Sequence, residues 1–371
     1  MATGTYTGQT AKKETFHFIN DAADAVNEAA IGLTEHNPNL SYATAHKIVY
    51  RSDLDTFRKD HVTTIGFAGG GHEPMFAGFV GPSFLSCAVS GNIFASPTAA
   101  QIFEAIRLCQ APRPPHRHTS SKGTLIVCGN YTGDILNAGL AITRATAAGY
   151  KVRFTPVGDD VAVGRKKGGK VGRRGLSGHV VGLKIACALA DRGESLERVG
   201  DVMEYIAANS GTIAVAFDRC ENPTTLPPAT IELGLGCHGE PGLRQISPVP
   251  SPEALTREMI TLLTDTSDAD RAFIPFSNSE KKEEAILLVN SSGSTSDEVL
   301  ARFAELAIAE LDSQGITVKR MTLGPMVTSL KQSGFGFTVW RLPGLEEKCV
   351  LSRHEALAFW DREVQTASWR Q

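Results

Sequence analysis

Two histidines sit on glycine-rich turns far apart in the chain. His72 lies in Gly69-Gly70-Gly71-His72-Glu73-Pro74, and His238 in Gly234-Leu235-Gly236-Cys237-His238-Gly239-Glu240-Pro241-Gly242. A neutral imidazole adds to an electrophilic ketone or aldehyde to give a hemiaminal, provided a neighbouring group moves the proton. Glycine permits positive φ and close backbone approach to a ligand, so such turns present their histidines uncrowded. His238 is the candidate nucleophile, and His72 and Asp134, each following a different predicted strand, are the candidate acid/base pair. Simpler readings stand beside these. A Gly-His turn can be a surface turn with a locally bonded ring, and Asp134 can be the N-cap of the helix that follows it. Glu73 and Glu240 read as residues that orient the histidines or bond within their turns rather than as catalysts.

These groups are positioned by a repeated pattern of strand, loop and helix. Val62 to Phe67 is a β-prone run leading into the first glycine turn. Thr124 to Cys128 is another, leading into Gly129-Asn130-Tyr131-Thr132-Gly133-Asp134 and a helix from Ile135 to Ala148. Further helices are expected over Asp21 to Leu33 and Leu176 to Ala190, and a strand over Lys151 to Val157. In open α/β sheets ligands gather at the carboxyl ends of strands, where these loops fall. Later, Gly211 to Phe217 and Ile231 to Leu235 read as strands, and Asp265 to Lys282 as polar connection. Ala285 to Val289, Asp297 to Leu311 and Ile316 to Leu323 read as one βαβ unit. The expected architecture is two α/β domains, residues 1–209 carrying the His72 and Asp134 loops and residues 210–371 carrying the His238 turn.

Composition narrows the function. With 371 residues, 42% hydrophobic and 21% charged, the chain is long enough for two folded domains. A net charge of −3 gives no global attraction to nucleic acid or membrane. Seven scattered cysteines without CxxC spacing argue against a disulfide framework or a zinc site and for a reducing, cytoplasmic setting. Met1 to Lys13 is polar, without the apolar core of a signal peptide, and no apolar run is long enough to span a membrane. His116 and His118, in the Gln110 to Lys122 connection, lack a third ligand nearby, so no metal site is expected there. The basic run from Gly164 to Arg174 follows Asp159 and Asp160. It lacks a Walker pattern and reads as a solvated charge run, with phosphate binding or docking of an acidic partner as the alternatives.

Taken in order, GGGHEPMFAGFVG, IFASPTAAQIFEAI, NYTGDILNAGL, GDDVAVGRKKGGKVGRRGLSGH and GLGCHGEPG resemble the dihydroxyacetone kinase substrate-binding domain. The later VNSSGSTS and MVTSLKQSGFGFTVWRL extend the likeness from about residue 16 to residue 343. The resemblance implies a two-domain α/β fold, usually a homodimer, with His238 forming a hemiaminal and His72 and Asp134 serving as acid/base residues around the hydroxyl that is phosphorylated. The family's usual serine in the first turn is here Gly70, and its usual lysine before NYTGD is Gly129; these two, with Gly69 and Gly71, are the expected substrate-binding positions. Losing a serine and a lysine predicts a larger, less polar pocket. His179 and Leu183 replace a threonine and a histidine common in the family, and Lys331-Gln332 replaces an Asp-Met pair.

No nucleotide motif is present, so no cofactor is expected on this chain; ATP and Mg²⁺ would sit on a nucleotide-binding kinase subunit acting as partner. Two functions fit. One is the substrate-binding component of such a kinase, holding a small carbonyl substrate. The other is a repurposed, ATP-independent carbonyl enzyme, an isomerase, cyclase or aldol-type catalyst of secondary metabolism using the same three residues. A carbonyl-sensing binding module is a third possibility.

Overall fold

A computed structural model describes residues 20–21, 23–110, 121–217, 226–227, 229–277 and 282–370. The polar N-terminal stretch Met1 to Lys13, His116, His118 and Cys220 lie outside the described residues.

The first sheet comprises β1 (Leu40–Ala43), β2 (Ile48–Arg51), β3 (Thr63–Gly70), β4 (Cys87–Ile93), β5 (Thr124–Gly129) and β6 (Val152–Val157). Around it lie α1 (Ala25–Glu35), α2 (Leu54–Asp60), α3 (Ala99–Cys109) and α4 (Thr132–Ala147). Then come α5 (Arg165–Gly168), α6 (Gly178–Asp191) and α7 (Leu196–Ala208). The second sheet holds β7 (Ser210–Ala216), β8 (Ile231–Leu233), β9 (Arg244–Ile246), β10 (Glu283–Ser291), β11 (Ile316–Gly324) and β12 (Gly334–Arg341), with α8 (Pro252–Thr264), α9 (Asp297–Ser313) and α10 (Arg353–Trp360).

Both sheets have six strands and are mixed, in the orders β1-β2-β4-β3-β5-β6 and β11-β10-β12-β7-β8-β9. β3 pairs in parallel with β4 and β5, so the two loops leaving its and β5's carboxyl ends emerge side by side. β10 and β11 pair in parallel around α9, giving the expected βαβ unit. Every residue of β5 is buried, which its continuous Leu-Ile-Val run favours. α3 starts on a capping box between Thr98 and Gln101 and buries Ile102, Ala105, Ile106 and Cys109 at helical spacing.

The sheets share α6. Its residues from Gly178 to Ala190 are all buried, and it contacts β3 and β5 on one side and β7 and β12 on the other. One core therefore draws Val127 of the first sheet and Ile286 and Trp340 of the second into a single cluster.

Boundaries moved in informative ways. β3 runs on to Gly70, because the glycines bond as strand before the chain turns. Asp134 is not the N-cap of its helix: Tyr131 holds that position, and Asp134 is buried in the first turn. The Gly164 to Arg174 run is not simply a solvated charge run. Lys166, Lys167 and Lys170 face outward, but Arg173 stacks on Phe273 and Arg174 pairs with fully buried Asp160.

Candidate active site

The His72 loop and the His238 turn meet although 166 residues separate them. His72 Nε2 lies 3.0 Å from His238 Nε2, the rings nearly perpendicular at 86°. The outer nitrogen of each ring has its own acceptor. His72 Nδ1–H donates to the Thr328 carbonyl at 2.8 Å, and His238 Nδ1–H donates to Glu240 Oε1 at 2.9 Å. The other Glu240 oxygen accepts from the His238 backbone N–H at 2.9 Å, closing the turn on itself. Glu73 does the same in the first loop, accepting from Gly71 N–H at 2.9 Å. Glu73 thus holds its turn, and Glu240 both holds its turn and orients the His238 ring.

The Thr328 carbonyl comes from the segment after β11, which the second sheet fixes. Asn290 at the end of β10 accepts from the N–H groups of Met326 and Val327 and donates to the Val327 carbonyl. From there Leu330 N–H reaches Gly71 O at 2.9 Å, and Ser329 Oγ donates to the Cys237 carbonyl. The His238 turn is braced from behind by Arg174, whose guanidinium donates to Asp160 at 2.7 Å, Gly234 O at 2.8 Å and Glu240 O at 3.3 Å. Sequence reading named the Thr328 segment in the resemblance and Arg174 in the basic run but gave neither a role at the site, since both act through contacts made only in the folded chain.

Aromatic rings wall the pair. Tyr131 and Phe94 meet the His238 ring edge-on at 4.8 and 5.5 Å. The Tyr131 hydroxyl donates to Gly175 O at 2.8 Å and lies 3.1 Å from Cys237 Sγ. Cys237 Sγ is also 3.6 Å from His238 Nδ1. His72, Cys237 and His238 thus bring two nitrogens and a sulfur together, a grouping invisible to a search for local ligand spacing.

Electrostatics separates the two histidines. Burial, reinforced by the neighbouring charge on His238, pushes His72 down to about 4. Burial opposes the charge on His238 too, but its hydrogen bonds to Cys237 and Glu240 outweigh it and raise the ring to about 10. Glu240 follows in the opposite sense: despite burial, the His238 bond brings it down to about 2. Burial lifts Asp134 to about 6, against a Ser96 hydrogen bond and the nearby His238 charge. Its Oδ1 is buried without a hydrogen-bond partner.

The four glycines are packed rather than open. A Cβ on Gly70 would meet Val26 Cγ2 of α1 at 2.5 Å, and one on Gly129 would meet the Tyr131 ring at 3.1 Å. A Cβ on Gly69 would press on Ala95 backbone and one on Gly71 on the Phe94 ring, Gly71 also having φ +94°. The space expected from the missing serine and lysine is therefore narrowed next to the backbone, by Val26 at Gly70 and by Tyr131 at Gly129. His179 is buried against Met75 and Phe76, close enough for its charge to help lower His72.

Residues 31–368 match the family described as the Dak1 domain. The chain belongs to the Dak1 domain family. This Dak1 domain is 38% identical over 349 residues to dihydroxyacetone kinase 2 of Saccharomyces cerevisiae, covering 92% of the chain and 56% of that protein. The chain thus spans little more than half the length of that relative. The structure of the C. freundii dihydroxyacetone kinase superposes with a TM-score of 0.76 at 30% identity, over 95% of the Dak1 domain and 60% of that chain. The dihydroxyacetone kinase operon co-activator Dha-DhaQ superposes with a TM-score of 0.78 at 25% identity, over 92% of the domain and 97% of that chain.

Proposed function

We propose that this Dak1 domain is the substrate-binding component of a dihydroxyacetone-kinase-type system, capturing a short ketose or aldehyde on His238 for phosphoryl transfer. The observation that carries the reading is the Nε2–Nε2 contact between His72 and His238, with Glu240 on the far nitrogen of the nucleophile. Counting donors, both outer nitrogens carry hydrogens, so the contact holds one further proton and His238 rests as an imidazolium. Capture moves that proton. As His238 Nε2 bonds to the carbonyl carbon, the C=O electron pair passes to oxygen and the Nε2 proton, relayed by His72, follows it to make the hydroxyl. The ring remains cationic, and Glu240 continues to balance it.

Asp134, raised to about 6 by burial and so still mostly ionised at neutral pH, would accept the proton of the substrate hydroxyl as phosphoryl arrives. The nucleotide and its Mg²⁺ belong on a partner subunit or a further domain. Magnesium selects oxygen ligands, and the donors gathered here are nitrogen and sulfur. Positioning would supply most of the rate enhancement.

The test combines the pure chain with dihydroxyacetone, ATP, Mg²⁺ and a nucleotide-binding kinase subunit. Native mass spectrometry should show a dihydroxyacetone adduct that His238→Ala abolishes, while Asp134→Asn keeps the adduct but slows turnover by roughly 10²–10⁴. An adduct that persists in His238→Ala would end the covalent reading. Binding without turnover is a second reading, favoured by the match to the operon co-activator; it is supported if the adduct forms and no competent kinase subunit yields product. The ATP-independent enzyme draws less support from pocket size, because a Cβ at Gly70 would meet Val26 and one at Gly129 the Tyr131 ring.

A further inference from the structure

The inward nitrogens of His72 and His238 present lone pairs to one point, because a carbonyl and a carboxylate fix the hydrogens on the outer nitrogens. Two lone pairs 3.0 Å apart require a positive centre between them. A proton is one such centre and a metal cation is another. A third donor stands beside them: one ring nitrogen from each histidine and the Cys237 sulfur all lie within 4.8 Å of one another, the sulfur 3.6 Å from His238 Nδ1. Each imidazole has an orienting neighbour, the Thr328 carbonyl for His72 and the Glu240 carboxylate for His238. Outer partners of this kind hold metal-bound ligands in place.

We propose that His72, Cys237 and His238 bind a thiophilic divalent cation of the zinc class, and that this cation excludes the carbonyl ligand from His238. Two imidazoles and a thiolate suit zinc and other borderline-to-soft ions, not Mg²⁺ or Ca²⁺. Tetrahedral coordination at zinc–nitrogen lengths of about 2.0–2.1 Å sets nitrogen pairs about 3.3 Å apart, so the rings need part only slightly. Binding releases the thiol proton and the proton between the rings to the buffer. Three protein ligands leave the fourth position to water. The exclusion of the carbonyl ligand rests on the reading of His238 as the capturing residue; the metal site does not.

The site is tested with the full chain and Co²⁺ or Zn²⁺ alone. Co²⁺ titration should produce a thiolate-to-cobalt charge-transfer band saturating at one equivalent, and Cys237→Ser should remove it. Zn²⁺ affinity, read by competition with a chromophoric chelator, should fall by roughly tenfold to a hundredfold in Glu240→Gln, the usual cost of losing an orienting carboxylate, and further in His72→Gln. Circular dichroism checks that each variant is folded. Absence of the band in the wild type, or its survival in Cys237→Ser, overturns the site. For the exclusion, the dihydroxyacetone adduct should disappear as Zn²⁺ is added and return with chelator; an adduct undiminished at saturating Zn²⁺ overturns it. Failure to form any adduct in metal-free protein would instead overturn the carbonyl reading and leave the metal site standing.

Discussion

At the residue scale, protonation governs His238. The ring is held up to about 10 by Cys237 and Glu240 against its own burial, so near neutral pH little of it is the free base that can attack a carbonyl. His72, pushed down to about 4, stays neutral over the same range. Because the proton leaving Nε2 ends on the new hydroxyl, capture takes up and releases none, so adduct formation should be level across neutral pH and fall as His238 loses its proton near pH 10. Removing the carboxylate in Glu240→Gln takes away part of what holds the proton, so the fall should shift to lower pH. Rates of adduct formation measured across pH for both proteins check this. An unshifted profile would detach Glu240 from the behaviour of His238.

At the scale of elements, α1 and the β5–α4 loop set the size of the site. The Val26 methyl stands where a side chain on Gly70 would go, and Tyr131 stands over Gly129, whose Cα is also approached closely by Gly175. Restoring a serine at Gly70 should thus overpack the α1 contact and cost about 1–3 kcal/mol rather than improve ligand binding. Val26→Ala should relieve the clash, so Val26→Ala/Gly70→Ser is expected to be more stable than the sum of the single changes predicts. Urea unfolding of the four proteins gives the coupling directly. Additive effects would mean that α1 does not limit this side of the pocket.

At the scale of the whole molecule, α6 joins both sheets and Lys184 ties the C-terminal segment to it. The buried Lys184 Nζ donates to the carbonyls of Phe359 and Arg362 at 3.1 and 2.7 Å. Burial holds this amine down to about 8 from 10.5. Between these values the unfolded chain keeps a proton that the folded chain releases, so Lys184 contributes stability that grows as pH rises from about 8 to about 10.5. Chemical denaturation of wild type and Lys184→Met across that window should show the difference moving in favour of wild type. A constant difference would show that the amine does not titrate in the fold. The division at residues 209 and 210 into two domains remains our proposal; the shared core around α6 couples the two halves.

Periodicity and turn chemistry made β3, β5, α4 and the β10–α9–β11 unit legible in the sequence, because each follows from neighbours in the chain. The same locality singled out His72, Asp134 and His238, which stand on short loops whose glycines mark them. What the sequence could not supply was the meeting of those loops. The 3.0 Å contact, the Thr328 carbonyl that sets the His72 proton, the Arg174 brace and the place of Cys237 beside both rings arise from residues far apart in sequence. Burial in that assembled site keeps His72 neutral, whereas the hydrogen bonds of His238 to Cys237 and Glu240 of its own turn hold its proton against burial. The consequence of Gly70 and Gly129 was likewise a tertiary matter: a missing side chain makes space only if nothing else moves in, and here α1 and Tyr131 do.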